Sequence, residues 1–169
     1  MPAPTESDKL VAIVLTGGRS TRFGRDKARE SVHGVPSAER VLAACAGIPA
    51  VAEDRPADGP LGAIVLAFER WGRDLIVVAC DMPFVDPPLI ARLSAALEVD
   101  ARVPRVAGRV QPLAARYGRS GLTKLRAAWQ AGERSIVRAL DGLAVEWLDD
   151  VDAHTLADFD TPEDLAAIV

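Results

Sequence analysis

Apolar and polar positions divide the chain into short, wholly apolar runs and longer amphipathic stretches that alternate along it. Two runs, Leu10–Leu15 (LVAIVL) and residues 75–80 (LIVVAC), are apolar at every position. That pattern predicts strands buried on both faces, as in a parallel sheet. A helix is expected over about 38–46, capped by Ser37 and stopped by Gly47. Another covers 61–71, with Leu61, Ile64, Val65 and Phe68 spaced by three and four. A third is capped by Asp86, carries Pro87 in its first turn and buries Leu89, Ile90, Leu93 and Leu97. Leu122, Leu125, Ala128 and Trp129 mark a fourth helix that stops near Gly132, and 135–140 a short fifth. Thr161-Pro162-Glu163-Asp164 reads as the start of a sixth, with a hydroxyl N-cap and acids in the first turn.

Weaker signals complete the outline. Ile48-Pro49-Ala50-Val51 makes at best a short edge strand, because Pro49 has no N–H for a ladder. Residues 53–60 (EDRPADGP) read as a loop. Residues 102–117 predict a hairpin turning at Ala107-Gly108-Arg109, with 110–117 as the return strand, and Val145–Leu148 is a further short strand. Strands alternating with helices predict an α/β protein with helices on both faces of its sheet. Residues 1–8 are expected to be a flexible tail and 9–169 a single domain.

Composition narrows the class. At 169 residues, 49% apolar and 26% charged, the chain is an ordinary globular one with enough length for a real core. Its net charge of -4 argues against nucleic acid as a partner, which would favour a basic face. Cys45 and Cys80 sit among apolar residues, as reduced thiols do, and MPAPTESDK has no apolar signal core. No apolar run reaches membrane-spanning length, so a cytoplasmic protein without membrane contact is expected.

The chemistry concentrates where the first strand ends. Thr16-Gly17-Gly18 is followed by Arg19, Ser20, Thr21, Arg22, Gly24 and Lys27. Glycines let backbone N–H groups approach an anion, hydroxyls donate to it, and Arg22 and Lys27 bring positive charge. The spacing matches neither the Walker pattern nor the dinucleotide fingerprint. In open α/β sheets ligands bind outside the carboxyl ends of the strands, which should bring this loop to Asp81 at the end of LIVVAC. A phosphate cradle facing a strand-end carboxylate suits a nucleoside triphosphate with Mg²⁺. Asp158 and Asp160 alternate with Phe159 and offer a second metal contact, or a cap for the last helix. Arg116, Arg119, Arg134 and Arg138 form a loose basic set, equally readable as a second phosphate contact or a solvated face. His33 and His154 read as uncoupled surface histidines, and Trp71, Trp129 and Trp147 as packing residues.

These blocks resemble the molybdenum cofactor guanylyltransferases, MobA-like nucleotidyltransferases. LTGGRSTRFGRDK is similar to the family's signature loop, and EDRPADGPLGAI, CDMPFV, QPLAARY, AGERSIVRAL and DFDTPEDL follow in the family's order over nearly the whole chain. The resemblance implies a three-layer α/β/α, Rossmann-like nucleotidyltransferase fold with a mostly parallel sheet. It implies transfer of GMP from GTP to molybdopterin, with release of pyrophosphate. Leu15, Thr16, Gly17 and Gly18 would then contact the nucleotide, and Arg22 and Lys27 its phosphates. Asp54, Gly59, Pro60 and Gly62 match the nucleotide side, Asp81 the Mg²⁺ ligand, and Gln111, Pro112 and Arg134 segments on the pterin side; Asp160 remains the candidate for a second metal contact from the residues themselves. Transient contact with molybdoenzyme maturation proteins belongs to the same picture. Two departures stand out. The family usually carries another strand and turn before Asp54, and its guanylyl members usually have asparagines where Asp158 and Asp160 stand, aspartate being commoner in the cytidylyl relatives. Cytidylyl transfer, another small-molecule phosphate as acceptor, and a nucleotide-binding accessory role without turnover are the alternatives.

Overall fold

A computed structural model describes residues 9–16, 26–53 and 59–169. In chain order its elements are β1 (Leu10–Leu15), a small hairpin of β2 (Ser31–Val32) and β3 (Val35–Pro36), α1 (Ser37–Ala44), β4 (Ala50–Glu53), α2 (Gly59–Trp71), β5 (Asp74–Ala79), α3 (Pro87–Ser94), β6 (Ala101–Val106), β7 (Arg109–Val110), β8 (Ala114–Tyr117), α4 (Leu122–Gln130), α5 (Ile136–Ala139), β9 (Val145–Leu148) and α6 (Pro162–Ile168). The main sheet has seven strands in the order β4-β1-β5-β8-β6-β7, with β9 beside β6. β4 and β5 flank β1 in parallel, β8 runs antiparallel to β5 and β6, and β9 runs parallel to β6. The sheet is therefore mixed and mostly parallel.

The two apolar runs are apolar throughout because the sheet is covered twice. Val11, Ile13 and Leu15 join Leu61, Ile64, Val65 and Phe68 of α2, Leu125 of α4 and Ile136 of α5 in one core. Leu10, Ala12 and Val14 join Val41 of α1 and Leu89, Ile90 and Leu93 of α3 in the other. Each fully buried aliphatic side chain of this kind contributes about 1.5–3 kcal/mol. A slip of β1 by one residue would send every side chain to the wrong core, so its register against β5, Leu10 opposite Asp74 through Leu15 opposite Ala79, is firmly specified. That register sets the ends of β1 and β5 side by side at one rim.

Several local expectations are corrected. Ser37 does not cap α1: Pro36 takes that position and the Ser37 hydroxyl instead donates across to the Cys80 carbonyl. Leu97 lies beyond α3, which ends at Ser94. Gly59 and Pro60 belong to α2 rather than to the preceding loop. The β2–β3 hairpin has no counterpart in the sequence reading, although His33-Gly34, with φ of 49° and 83°, is the kind of dipeptide such turns require. The β6 hairpin turns at Ala107-Gly108 as expected, but its return strand is interrupted between β7 and β8. The short strand before Asp54 does take an edge place beside β1, shifted to Ala50–Glu53 so that Pro49 stays outside it. Among the described residues no helix is long and apolar enough to cross a membrane.

Candidate active site

The rim where β1 and β5 end is built by backbone contacts that leave little freedom at Asp81. The Cys80 N–H donates to the Leu15 carbonyl at 3.0 Å, and the Cys80 carbonyl accepts from Ser37. The next residue, Asp81, gives its own carbonyl to the Phe159 N–H at 3.2 Å. That bond fixes the segment 158–160 against the end of β5, with the Phe159 ring fully buried. Asp160 is held from the other side, because its N–H donates to the Asp164 carboxylate of the capping box that starts α6.

Lys27 arrives from a separate part of the chain. Asp26 caps a single 3₁₀ turn over Lys27–Arg29, accepting from the Ala28 N–H at 3.0 Å, and Ala28 is buried beneath it. The Lys27 ammonium then lies 3.1 Å from Asp81 Oδ2 and 2.6 Å from Asp160 Oδ1. Residues 54 and 133 positions apart thus meet on one cation. Asp158, on the other side of Phe159, is paired instead with Arg109 of the β6–β7 hairpin at 3.2 Å.

The electrostatics are those of crowded acids. Burial pushes the Asp81 carboxyl above the usual aspartate range; Lys27 pulls it back, and the charges of Asp158 and Asp160 push it further up. For Lys27 burial opposes the ammonium, but the hydrogen bond to Asp160 and the charge of Asp81 outweigh it, so its pKa is raised and the charge is secure. Cys80, next in chain to Asp81, is driven up to about 12 by burial and is no nucleophile at neutral pH.

The carboxylates of Asp81 and Asp160 are hard oxygen donors of the kind Mg²⁺ takes together with phosphate oxygens and water. Among the described residues no group of three or more His, Cys, Asp or Glu side chains is placed to form a protein-only metal shell. The pair suits a cation whose remaining ligands come from a bound phosphate.

Of the other expected residues, Leu15 is buried at the rim and Thr16 is half-buried just beyond it, its N–H donating to the Glu53 carbonyl at 3.1 Å. Gly59 opens α2 with φ of 67°, and Gly62 is buried in the first turn. Gln111 is buried and the Pro112 carbonyl accepts from the Tyr117 hydroxyl at 2.7 Å. Gly17, Gly18, Arg22 and Asp54 lie outside the described residues, as do residues 1–8.

The loose arginine set does not converge. Arg116 is 2% exposed and gives its guanidinium to Asp74 and to the Ser94 and Ala95 carbonyls at the end of α3. Arg134 donates to the Trp129 and Glu133 carbonyls, and Arg138 to the Glu133 carboxylate. The two histidines are not uncoupled either: both pack on Phe84, His154 at 4.2 Å and His33 at 6.3 Å between ring centroids. Trp147 stands partly exposed on β9 with the Arg105 guanidinium 5.0 Å from its ring centroid. The Arg109–Asp158 link also escaped the sequence reading, since nothing local marks two residues 49 positions apart as partners.

Residues 12–145 match the family described as MobA-like NTP transferase domain. A probable molybdenum cofactor guanylyltransferase of Chloroflexus aggregans is 32% identical, with 94% of this chain and 93% of that protein covered. The molybdenum cofactor guanylyltransferase of Rhodobacter capsulatus is 33% identical, with 94% of each covered. The alignment with the former spans 195 positions, more than the 169 residues of this chain, so the relative carries insertions that this chain lacks. Among solved structures, the molybdopterin-guanine dinucleotide biosynthesis protein A of Archaeoglobus fulgidus superposes with a TM-score of 0.79 at 25% identity, covering 94% of this chain and 96% of that one. The 2-C-methyl-D-erythritol 4-phosphate cytidylyltransferase of Thermus thermophilus shares the fold, with a TM-score of 0.66 at 21% identity over 94% and 95% of the two chains.

Proposed function

The chain belongs to the MobA-like NTP transferase family, and from that premise we propose that it transfers GMP from GTP to molybdopterin, forming molybdopterin guanine dinucleotide and pyrophosphate. It is a nucleotidyltransferase; the nucleotide, the acceptor and the metal are the proposal. The observation that carries it is the meeting of Lys27, Asp81 and Asp160 at the rim where β1 and β5 end.

The reaction is an in-line displacement. A terminal phosphate oxygen of molybdopterin forms a bond to the α-phosphorus of GTP as the bond to the β-phosphate oxygen breaks, and pyrophosphate leaves with the electron pair. A phosphate monoester is already an adequate nucleophile, so the protein acts by positioning and by neutralising charge, with no general base assigned. Asp81 and Asp160 would hold Mg²⁺, which when bound would offset the negative charge of the phosphates. Lys27, with Arg22, offsets the charge that grows on the leaving pyrophosphate. By the family resemblance Thr16, Gly17 and Gly18 would contact the nucleotide, and Asp54, Gly59 and Gly62 would serve its base side. The enzyme works in the cytoplasm on small molecules and hands its product on through transient contact with molybdoenzyme maturation proteins.

Cytidylyl transfer is the second reading, favoured by the acidic side chains at 158 and 160. The two are separated by pyrophosphate release from GTP and from CTP in the presence of molybdopterin and Mg²⁺. Turnover of GTP at least tenfold faster than CTP is expected; a preference for CTP overturns the guanylyl assignment.

A further inference from the structure

Lys27 holds an unusual place for a residue whose proposed partners are phosphates. Its ammonium sits between two carboxylates, and its side chain is only 13% exposed, whereas that of Asp160 is 65% exposed. The centroid of the buried Phe159 ring lies 5.8 Å from the same ammonium. Among the described residues, two acids on one cation leave a net negative charge, Asp158 being paired separately with Arg109. Those same carboxylate oxygens are what a divalent cation would bind, and a second positive charge cannot settle among them while the ammonium stays.

We infer that Lys27 is the resident counter-cation of this acid pair, filling the place between Asp81 and Asp160 until a divalent cation arrives with a triphosphate, when the ammonium passes from the acids to the phosphates. The inference rests on the proposed reading of the site for its phosphates and metal. It goes beyond that reading by giving Lys27 two successive partners and making them mutually exclusive. A metal ion arriving alone must evict the ammonium from its hydrogen bonds with no new anion to receive it. A metal ion arriving with a triphosphate gives the ammonium new partners. Metal and nucleotide therefore strengthen each other's binding through Lys27, and by linkage the effect is reciprocal. Neutralising Lys27 should uncouple them, raising affinity for the bare metal while reducing the gain that the triphosphate brings.

Mn²⁺ titrations followed by the paramagnetic resonance signal of the free ion test this at one fixed neutral pH. Wild type, Lys27→Met, Lys27→Gln and Lys27→Arg are compared, each with and without inorganic tripolyphosphate. Without the polyphosphate, Lys27→Met and Lys27→Gln should bind Mn²⁺ roughly tenfold more tightly than wild type, and Lys27→Arg should resemble wild type. With it, wild type should gain more affinity than either neutral variant. Equal or weaker Mn²⁺ binding by the neutral variants without polyphosphate overturns the inference, as does an absence of Mn²⁺ binding in every protein. Either neutral variant suffices if the other does not fold, as judged by thermal melting. Turnover of GTP with molybdopterin is scored separately on wild type. If turnover is absent while the neutral variants gain Mn²⁺, the guanylyl assignment fails and the role of Lys27 stands. If turnover is present without that gain, the reverse holds.

Discussion

The carboxylates of Asp81 and Glu133 stand in opposite electrical states. Asp81 is half-enclosed at the sheet rim, among other acids, and shares its cation with Asp160, so its proton is held more tightly than usual. Glu133 lies in the exposed turn between α4 and α5. It accepts from the Arg138 guanidinium and from the N–H groups of Ser135 and Arg134, which pulls its pKa down to about 2. Among the described residues, Glu133 is met by its own donors, whereas Asp81 shares one ammonium with a second acid and is short of positive charge. A deficit of that kind, kept in place by the buried Phe159 and the capped start of α6, is how a protein reserves a position for a cation or a charged substrate. Charges that serve the fold are closed off by their own neighbours.

The largest effect that would break this comparison is at the deficient acid. Asp81→Ala should lower pyrophosphate release by roughly a thousandfold or more, about 4 kcal/mol of transition-state stabilisation. Its melting temperature should stay level or rise, because folding no longer has to bury that charge. Steady-state turnover beside thermal melting checks both. A variant that keeps a tenth of wild-type turnover would remove Asp81 from the chemistry. Nucleotide binding with no turnover in wild type as well would turn the assignment toward an accessory role.

A buried cation sharpens the comparison from the side of the fold. Arg116 is as enclosed as any aliphatic core residue, yet it is matched by Asp74 at 2.8 Å and by the carbonyls that end α3. Arg102 serves the same helix end, bonding the Arg92, Ala95 and Ala96 carbonyls and Glu146. Arg116→Leu should cost about 3 kcal/mol of stability, since it takes the guanidinium from Asp74, leaving that carboxylate the Arg119 N–H, and removes the Arg116 donor from the Ser94 carbonyl. Activity per folded molecule should be unchanged. Chemical denaturation paired with active-site-normalised turnover separates the two; a loss of turnover at full folding would mean that Arg116 serves the site after all.

The difference between these regions also explains what could be read from the sequence. The sheet rim was legible because β1 and β5 are buried on both faces, and a continuous apolar run reports that directly. Asp81 and Lys27 then follow from the rule that ligands gather where such strands end. The Asp86 cap and the Thr161–Asp164 capping box are local chemistry, and both form as read. Partners are another matter. Apolar periodicity says that a residue is buried and nothing about which group it meets. Arg116 therefore reads as a phosphate contact or a solvated cation, and Ser37 as a helix cap, although the Ser37 hydroxyl reaches a carbonyl 43 positions away and Arg116 meets Asp74. His33 and His154 are brought onto Phe84 only by the folding of three separate loops. The β2–β3 hairpin, with strands of two residues, is too short to show any period.

The smallest expected effect belongs to the satisfied acid. The Glu133 pKa falls from the ordinary 4.5 to about 2 on folding, chiefly through the Arg138 hydrogen bond and then through the backbone N–H of Ser135. Because the folded value is the lower one, the carboxylate adds stability at pH values above 4.5, and that contribution fades as the pH drops from 4.5 toward 2. The turn is open to solvent, so water and salt screen most of the gain. Glu133→Gln should therefore lower the melting temperature by only a small amount near neutrality. The gap from wild type should close on acidification through that window and narrow in high salt. Melting both proteins across the acid range at two ionic strengths checks this. A gap that persists unchanged to the acid end would trace the stabilisation to the shape of the turn rather than to the charge of Glu133, and the contrast with Asp81 would lose its electrostatic basis.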